Sequence, residues 1–405
     1  MTKHWKLACS SLLAAFAVAP RAEAKSFVTI HDDGTLSGSV TSMSPDTLTK
    51  KIVAAYNATG APIPDVISIW TTFPMDKNQI ETLCDPVGQD AQGIGMNTVY
   101  GGNGTFKSTN PPLRAILMHN NFTALASRAS AQNAPLEGFG QYLFLLELSH
   151  VWGPAAAVPT GDAGTVAADA LIGFTYHWSF WMDNGGSPAG GNAWVDNGDG
   201  TFTTSGGLPS TVKYSMLDLY LMGLASPNEV TPVHYIAGGQ SLGTEIDPFT
   251  HKAYSQTSFP WFGSAPFVAK GTKVTFTVDD IIAANGPRVP ATEPSTLKLG
   301  IVLDVGATAT DDEVAGFEAQ FEPFAATLAP AYHTATSSRG TLEVVTSTPD
   351  TVDGGADGGP GDNEEPTTPP SGGCSMAGGN DGAAFAWLGL GVLGLVAAGL
   401  RRRRS

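Results

Sequence analysis

The sequence predicts a mixed α+β fold, and three observations carry that expectation. Residues 66–73 (Val-Ile-Ser-Ile-Trp-Thr-Thr-Phe) are β-branched and aromatic and are ended by Pro74, as a strand would be. Residues 142–148 are apolar at every position but Glu147, so as a helix they would be buried nearly all round. Residues 194–203 set strand formers on each side of Asp-Asn-Gly-Asp-Gly, a turn that needs positive φ and reads as a β-hairpin.

Taken in order, residues 1–24 open with Lys3 and Lys6, continue through an apolar run at 12–19 and end in Ala-Glu-Ala. That is the layout of a secretory signal peptide, so the mature chain is expected to begin near Lys25. Residues 48–56 have a helical pattern, and 111–119 look like a second strand. Residues 84–95 read as a loop, and Gly93 and Gly95 suggest backbone packed close to a neighbour.

The stretch 143–153 (Leu-Phe-Leu-Leu-Glu-Leu-Ser-His-Val-Trp-Gly) is one residue away from H-E-x-x-H. In that signature two histidines four apart share a helix face and hold Zn²⁺, while the glutamate activates the bound water. Glu147 and His150 are in place, but the first histidine is replaced by Leu146, which has no lone pair to donate. A satisfied core Glu and His is the plain alternative. A carboxylate inside an apolar run must still be paired, hydrogen-bonded or neutral, so Glu147 should have a partner or a raised pKa.

Downstream, His177 sits among aromatics in 174–181, either as a core histidine or as a replacement nitrogen ligand. The 194–203 hairpin has a calcium loop as its weaker alternative, because the D-x-D-x-D-G spacing is incomplete. Ser215 can cap a helix whose third residue is Asp218. The rival reading makes Asp218 the third metal ligand and lets Tyr220 donate a hydrogen bond to an oxyanion. A strand at 297–305 and a helix at 311–328 follow, with 265–345 expected as a subdomain of α/β type.

The remaining chain concerns placement. Residues 346–373 are rich in Pro, Gly and acids without apolar periodicity and read as a flexible linker. Residues 383–400 are uncharged and long enough for one transmembrane helix, and Arg401 to Arg404 follow. The positive-inside rule keeps those arginines cytoplasmic and the core outside. Residues 25–400 carry 14 Lys and Arg against 36 Asp and Glu, a formal charge of −22 that argues against nucleic acid as a partner. Of the three cysteines, Cys9 lies in the signal peptide and Cys374 in the last segment, so Cys84 is alone in the core and no disulfide forms within it.

Two resemblances follow from these residues. Gly-Cys at 373–374, a short apolar helix and an arginine cluster resemble the C-terminal sorting tag of myxobacteria (MYXO-CTERM), over residues 374–405. The tag implies cell-surface display and a sorting protease acting near Cys374.

The set Gln92-Gly93-Ile94-Gly95, Glu147-x-x-His150-x-Trp152, 177–180, 196–202 and 217–224 resembles secreted bacterial proteins of the zincin type, regarded as zinc metallopeptidases that act on protein or peptide. That likeness covers most of 60–345. It implies a zincin-like domain with Glu147 as general base, His150 as a zinc ligand and zinc as cofactor. Leu146 departs from the pattern, so the expected activity is weak or absent. An active hydrolase using His177 or His119 as the substitute ligand is one alternative. A surface adhesion or structural module that uses no metal is the other.

Overall fold

The protein is seen in a computed structural model that describes residues 25–346, apart from 40–42, 44, 76–81, 87, 89–90, 96–112, 132–135, 160–165, 168–170, 174–175, 206–211, 248–250 and 264. The expected signal peptide, linker, transmembrane helix and sorting tag lie outside the described residues. No helix among the described residues is long and apolar enough to cross a membrane.

The first half of the chain runs β1 (Val28–Ile30), α1 (Pro45–Asn57), β2 (Val66–Thr71), β3 (Thr82–Pro86), β4 (Ala115–His119), α2 (Leu125–Ala131) and α3 (Leu136–Ser149). The short pair β5 (Val158–Pro159) and β6 (Val166–Ala167) follows, then β7 (Trp178–Asp183), β8 (Gly190–Asn192), β9 (Trp194–Asp196) and β10 (Thr201–Thr204). The rest is α4 (Met216–Leu221), β11 (Val233–Ser241), β12 (Phe267–Phe276), α5 (Val278–Asn285), β13 (Thr296–Asp304), α6 (Asp311–Ala335) and β14 (Thr341–Val344). The fold is mixed α+β, built on two large sheets.

The first sheet has the order β1-β13-β2-β4-β3, with β14 also paired to β13. β1, β14 and β2 run parallel to β13, and β4 runs parallel to β2. Only β3 is antiparallel, on the β4 edge. Every residue of β2 and β4 is buried. Such unbroken apolar runs are what a parallel sheet covered on both faces demands.

One face buries Ile67, Ile69, Ile116 and Met118 under Leu48, Ile52 and Tyr56 of α1. The other buries Val66, Trp70 and Leu117 under α3 and α6, through residues such as Phe144, Leu148, Phe321 and Leu328. Each such Leu or Ile stabilises the fold by about 1.5–3 kcal/mol. The approach of α3 to α6 fixes Gly140, because a Cβ there would lie 2.5 Å from the Phe324 ring.

The second sheet has the order β8-β7-β11-β12-β10-β9, and Phe180, Trp181, Trp194, Phe202, Tyr254 and Phe267 form an aromatic cluster with it. The chain segment expected as a subdomain at 265–345 is shared between the sheets. It gives β12 to the second, and β13 to the centre of the first.

Most elements fall where the sequence places them, and one does not. Residues 82–86, which overlap the start of the 84–95 stretch expected as a loop, form edge strand β3. Cys84, Asp85 and Pro86 are poor strand formers, and pairing with the buried β4 overrides that preference. The two glycines of that stretch do pack closely: a Cβ on Gly93 would lie 2.2 Å from the Pro287 carbonyl oxygen, and one on Gly95 2.1 Å from that of Ala155.

Candidate functional site

Helix α3 brings the incomplete motif onto the covered face of the first sheet. Its run has no β-branched residue and no proline. It stops at Ser149, where the hydrogen bonds tighten: His150 N–H donates to Glu147 O at 3.1 Å, and Trp152 N–H to Ser149 O at 3.0 Å. Such i→i−3 bonds are the tighter winding that ends many helices. His150 therefore belongs to the turn after the helix, and Leu146 stays inside it, 3% exposed in the core.

Glu147 is 4% exposed and faces the β3 edge, where it accepts from the backbone N–H of Cys84 and shares a hydrogen bond with the Thr82 hydroxyl. Burial outweighs those donors and pushes its pKa up to about 8. At neutral pH the group is mostly a protonated acid. Its surroundings match: burial first, then the charge of Glu147, raise both the Cys84 thiol and the Tyr142 hydroxyl.

Thr82 continues the chain of contacts, because its Oγ1 lies 2.8 Å from His119 Nδ1. The His119 ring stacks on Trp70 with centroids 4.0 Å apart. Burial holds this imidazole down at about 3, so it is neutral. Glu147, Thr82 and His119 thus form one polar line at the β3 edge, set by a strand pairing that sequence spacing does not encode.

His150 makes a different contact. Its ring meets that of His177, just before β7, edge to face with centroids 4.7 Å apart. His150 Nδ1 lies 3.2 Å from the Gly153 carbonyl oxygen, which can only accept, so Nδ1 carries the proton of the neutral ring. Nε2 is left with its lone pair. Burial, then the neighbouring His177, depress the His150 pKa, and the Gly153 contact opposes them. An Nδ1–H held by a backbone carbonyl is how a metal-ligating histidine is usually oriented.

Asp218 is engaged elsewhere. It completes a capping box at the start of α4, with its Oδ2 accepting from the Ser215 N–H at 2.7 Å and the Ser215 hydroxyl at 2.5 Å. Its Oδ1 accepts from Trp178 Nε1 at 2.7 Å. Tyr220 is buried, and its hydroxyl accepts the backbone N–H of Arg288 at 3.3 Å. These are structural contacts for the two side chains expected as third ligand and oxyanion donor. Of the expected ligands, the fold brings together His150 and His177, and it leaves His119 with Thr82 and Trp70.

Among the described residues no three His, Cys, Asp or Glu side chains converge to share an ion. A catalytic zinc site uses three protein ligands, and the His150–His177 pair offers two nitrogens. In the expected calcium loop, Asp196 Oδ1 accepts from Gly198 N–H at 2.9 Å and Asp199 Oδ1 from Thr201 N–H at 2.9 Å. The hairpin satisfies these oxygens from its own backbone.

No protein-family model, no curated protein and no solved structure matches this chain.

Proposed function

We propose that residues 25–345 are a zincin-like domain, displayed at the cell surface, whose metal centre is reduced to a two-histidine remnant and whose peptidase activity is weak or lost. The observation that carries this reading is the division of the motif. His150, in the turn after α3, meets His177 edge to face, while Glu147 on α3 is neutral and hydrogen-bonded to β3. A general base must be ionised near working pH and face the water it activates. A buried protonated carboxyl fixed by Cys84 and Thr82 serves neither need.

The 4.7 Å approach of His177 supports a second reading, in which this ring is the substitute ligand of a functioning hydrolase. A third, a structural or adhesive module, is consistent with the contacts of Glu147. Zinc content and peptide hydrolysis of the purified protein separate them. The reduced centre gives weak zinc uptake and no chelator-sensitive hydrolysis. A functioning hydrolase gives both tight zinc and hydrolysis, and a metal-free module gives no zinc uptake at all.

A further inference from the structure

Strands β1, β13 and β2 are parallel and end together: the register places Ile30 beside Asp304, and Asp304 beside Thr71. The carboxyl ends of parallel strands are where open α/β sheets place ligands. Here that edge delivers two carboxylates, Asp304 at 0% exposure and Asp32 at 6%. Asp304 Oδ1 accepts the N–H of Asp32 and that of Gly306, each at 3.1 Å. Its Oδ2 is buried and has no hydrogen-bond partner among the described residues.

Asp32 Oδ2 accepts the Leu36 N–H at 2.9 Å, and Asp33 adjoins it. Neither Asp32 nor Asp304 forms an ion pair with a described Lys or Arg. Of the basic side chains at this corner, His31 acts on Asp304 and partly offsets the effect of its burial, while Lys51 donates to Thr35 Oγ1 at 3.0 Å and acts on Asp33. A buried carboxylate oxygen without a donor is costly, and a second carboxylate beside it adds repulsion. Both effects are present: burial raises the Asp304 carboxyl to about 6, and the charge of Asp32 adds to it.

We propose that Asp304 and Asp32 hold a hard divalent cation, Ca²⁺ or Mg²⁺, at the carboxyl ends of β13 and β1. Two carboxylates with no nitrogen or sulfur donor suit an oxygen-seeking ion whose remaining positions are filled by water and backbone carbonyls. The ion gives Asp304 Oδ2 its missing partner and relieves the repulsion between the two acids. It also ties the turn after β1 to the central strand of the sheet. This site is separate from the His150–His177 pair and does not depend on how that pair is read.

The test is a cation titration of the full chain after chelator treatment, with CaCl₂ and MgCl₂ as separate arms and KCl matched for ionic strength. Thermal midpoint and binding heat are read up to millimolar cation, the range of weak calcium sites. The expected result is a midpoint that rises and saturates at one ion per chain in one or both divalent arms. Asp304→Asn should abolish that response, and Asp32→Asn should weaken it at least tenfold. An Asp304→Asn midpoint at or above wild type in cation-free buffer shows that the variant folds. A wild type indifferent to both cations overturns the proposal, since a buried water would then serve Oδ2. So does a full response retained in Asp304→Asn.

Discussion

His150 and His177 meet edge to face, with ring centroids 4.7 Å apart and planes at 78°, although one ends the motif helix and the other precedes a strand of the second sheet. Two imidazoles fall one short of the three protein ligands of a catalytic zinc site. The missing member is set by Leu146, one turn back on α3.

Leu146→His should convert this pair into a three-nitrogen site, because position 146 on the last turns of α3 lies close to His150 in the turn that follows. Equilibrium dialysis should show zinc affinity rising by more than tenfold over wild type. Without zinc the variant should be less stable by about 1–3 kcal/mol, since a polar ring replaces a packed leucine. Zinc should restore the loss. A variant with unchanged affinity would mean that the turn at His150 holds its ring out of reach.

Glu147 gives a pH signature. Its folded pKa is raised from 4.5 to about 8, so the folded state keeps a proton that the unfolded state loses. The stability it contributes is full below 4.5 and is lost as pH rises towards 8. At ~1.4 kcal/mol per pKa unit the loss is on the order of several kcal/mol. Glu147→Gln cannot ionise and should be close to wild type in acid and more stable in mild alkali. Thermal melts across that window decide it, and a mutant less stable at every pH would show that the carboxylate itself is needed.

His119 supplies the opposite arm. Its folded pKa is lowered from 6.5 to about 3, so stability should fall as pH drops through that interval, where only the unfolded state takes up the proton. His119→Phe keeps a flat ring over Trp70 and should make the acid arm shallower, leaving the share that His150, depressed from 6.5 to about 3 as well, contributes. A variant that keeps the wild-type acid slope would assign the arm to another group.

Asp218→Ala separates a cap from a ligand. The substitution removes the capping box and leaves Trp178 Nε1 without its acceptor, so it should cost about 1–3 kcal/mol. The cost should be the same with and without chelator. A loss seen only when zinc is present would return Asp218 to the metal centre.

Much of this fold was legible in the residues. Val66 to Thr71 and Asp311 to Leu328 are strong local patterns whose tertiary partners agree with them, the helix running on to Ala335. Ser215 and Asp218 form the capping box that their spacing implied. Strand β3 was not legible, since Cys-Asp-Pro has low strand preference and only its pairing with β4 makes it one. With β3 went the partners of Glu147, because Thr82 and Cys84 act through a register that sequence spacing does not encode. The approach of His177 to His150 is likewise a tertiary fact. An aromatic setting suggested a ligand or a core residue, and only the position of β7 brings the two rings together. Asp304 gave no signal, because a single acid at the end of an apolar strand reads as the start of a turn.

The most direct measurement is the zinc bound per chain by the wild-type protein after dialysis against metal-free buffer and reloading with one equivalent, read by native mass spectrometry beside a peptide-hydrolysis assay. A reduced two-histidine centre predicts mostly metal-free protein and no hydrolysis that a chelator can remove. One tightly held zinc per chain with chelator-sensitive hydrolysis would contradict the account and make His177 the ligand of an active enzyme.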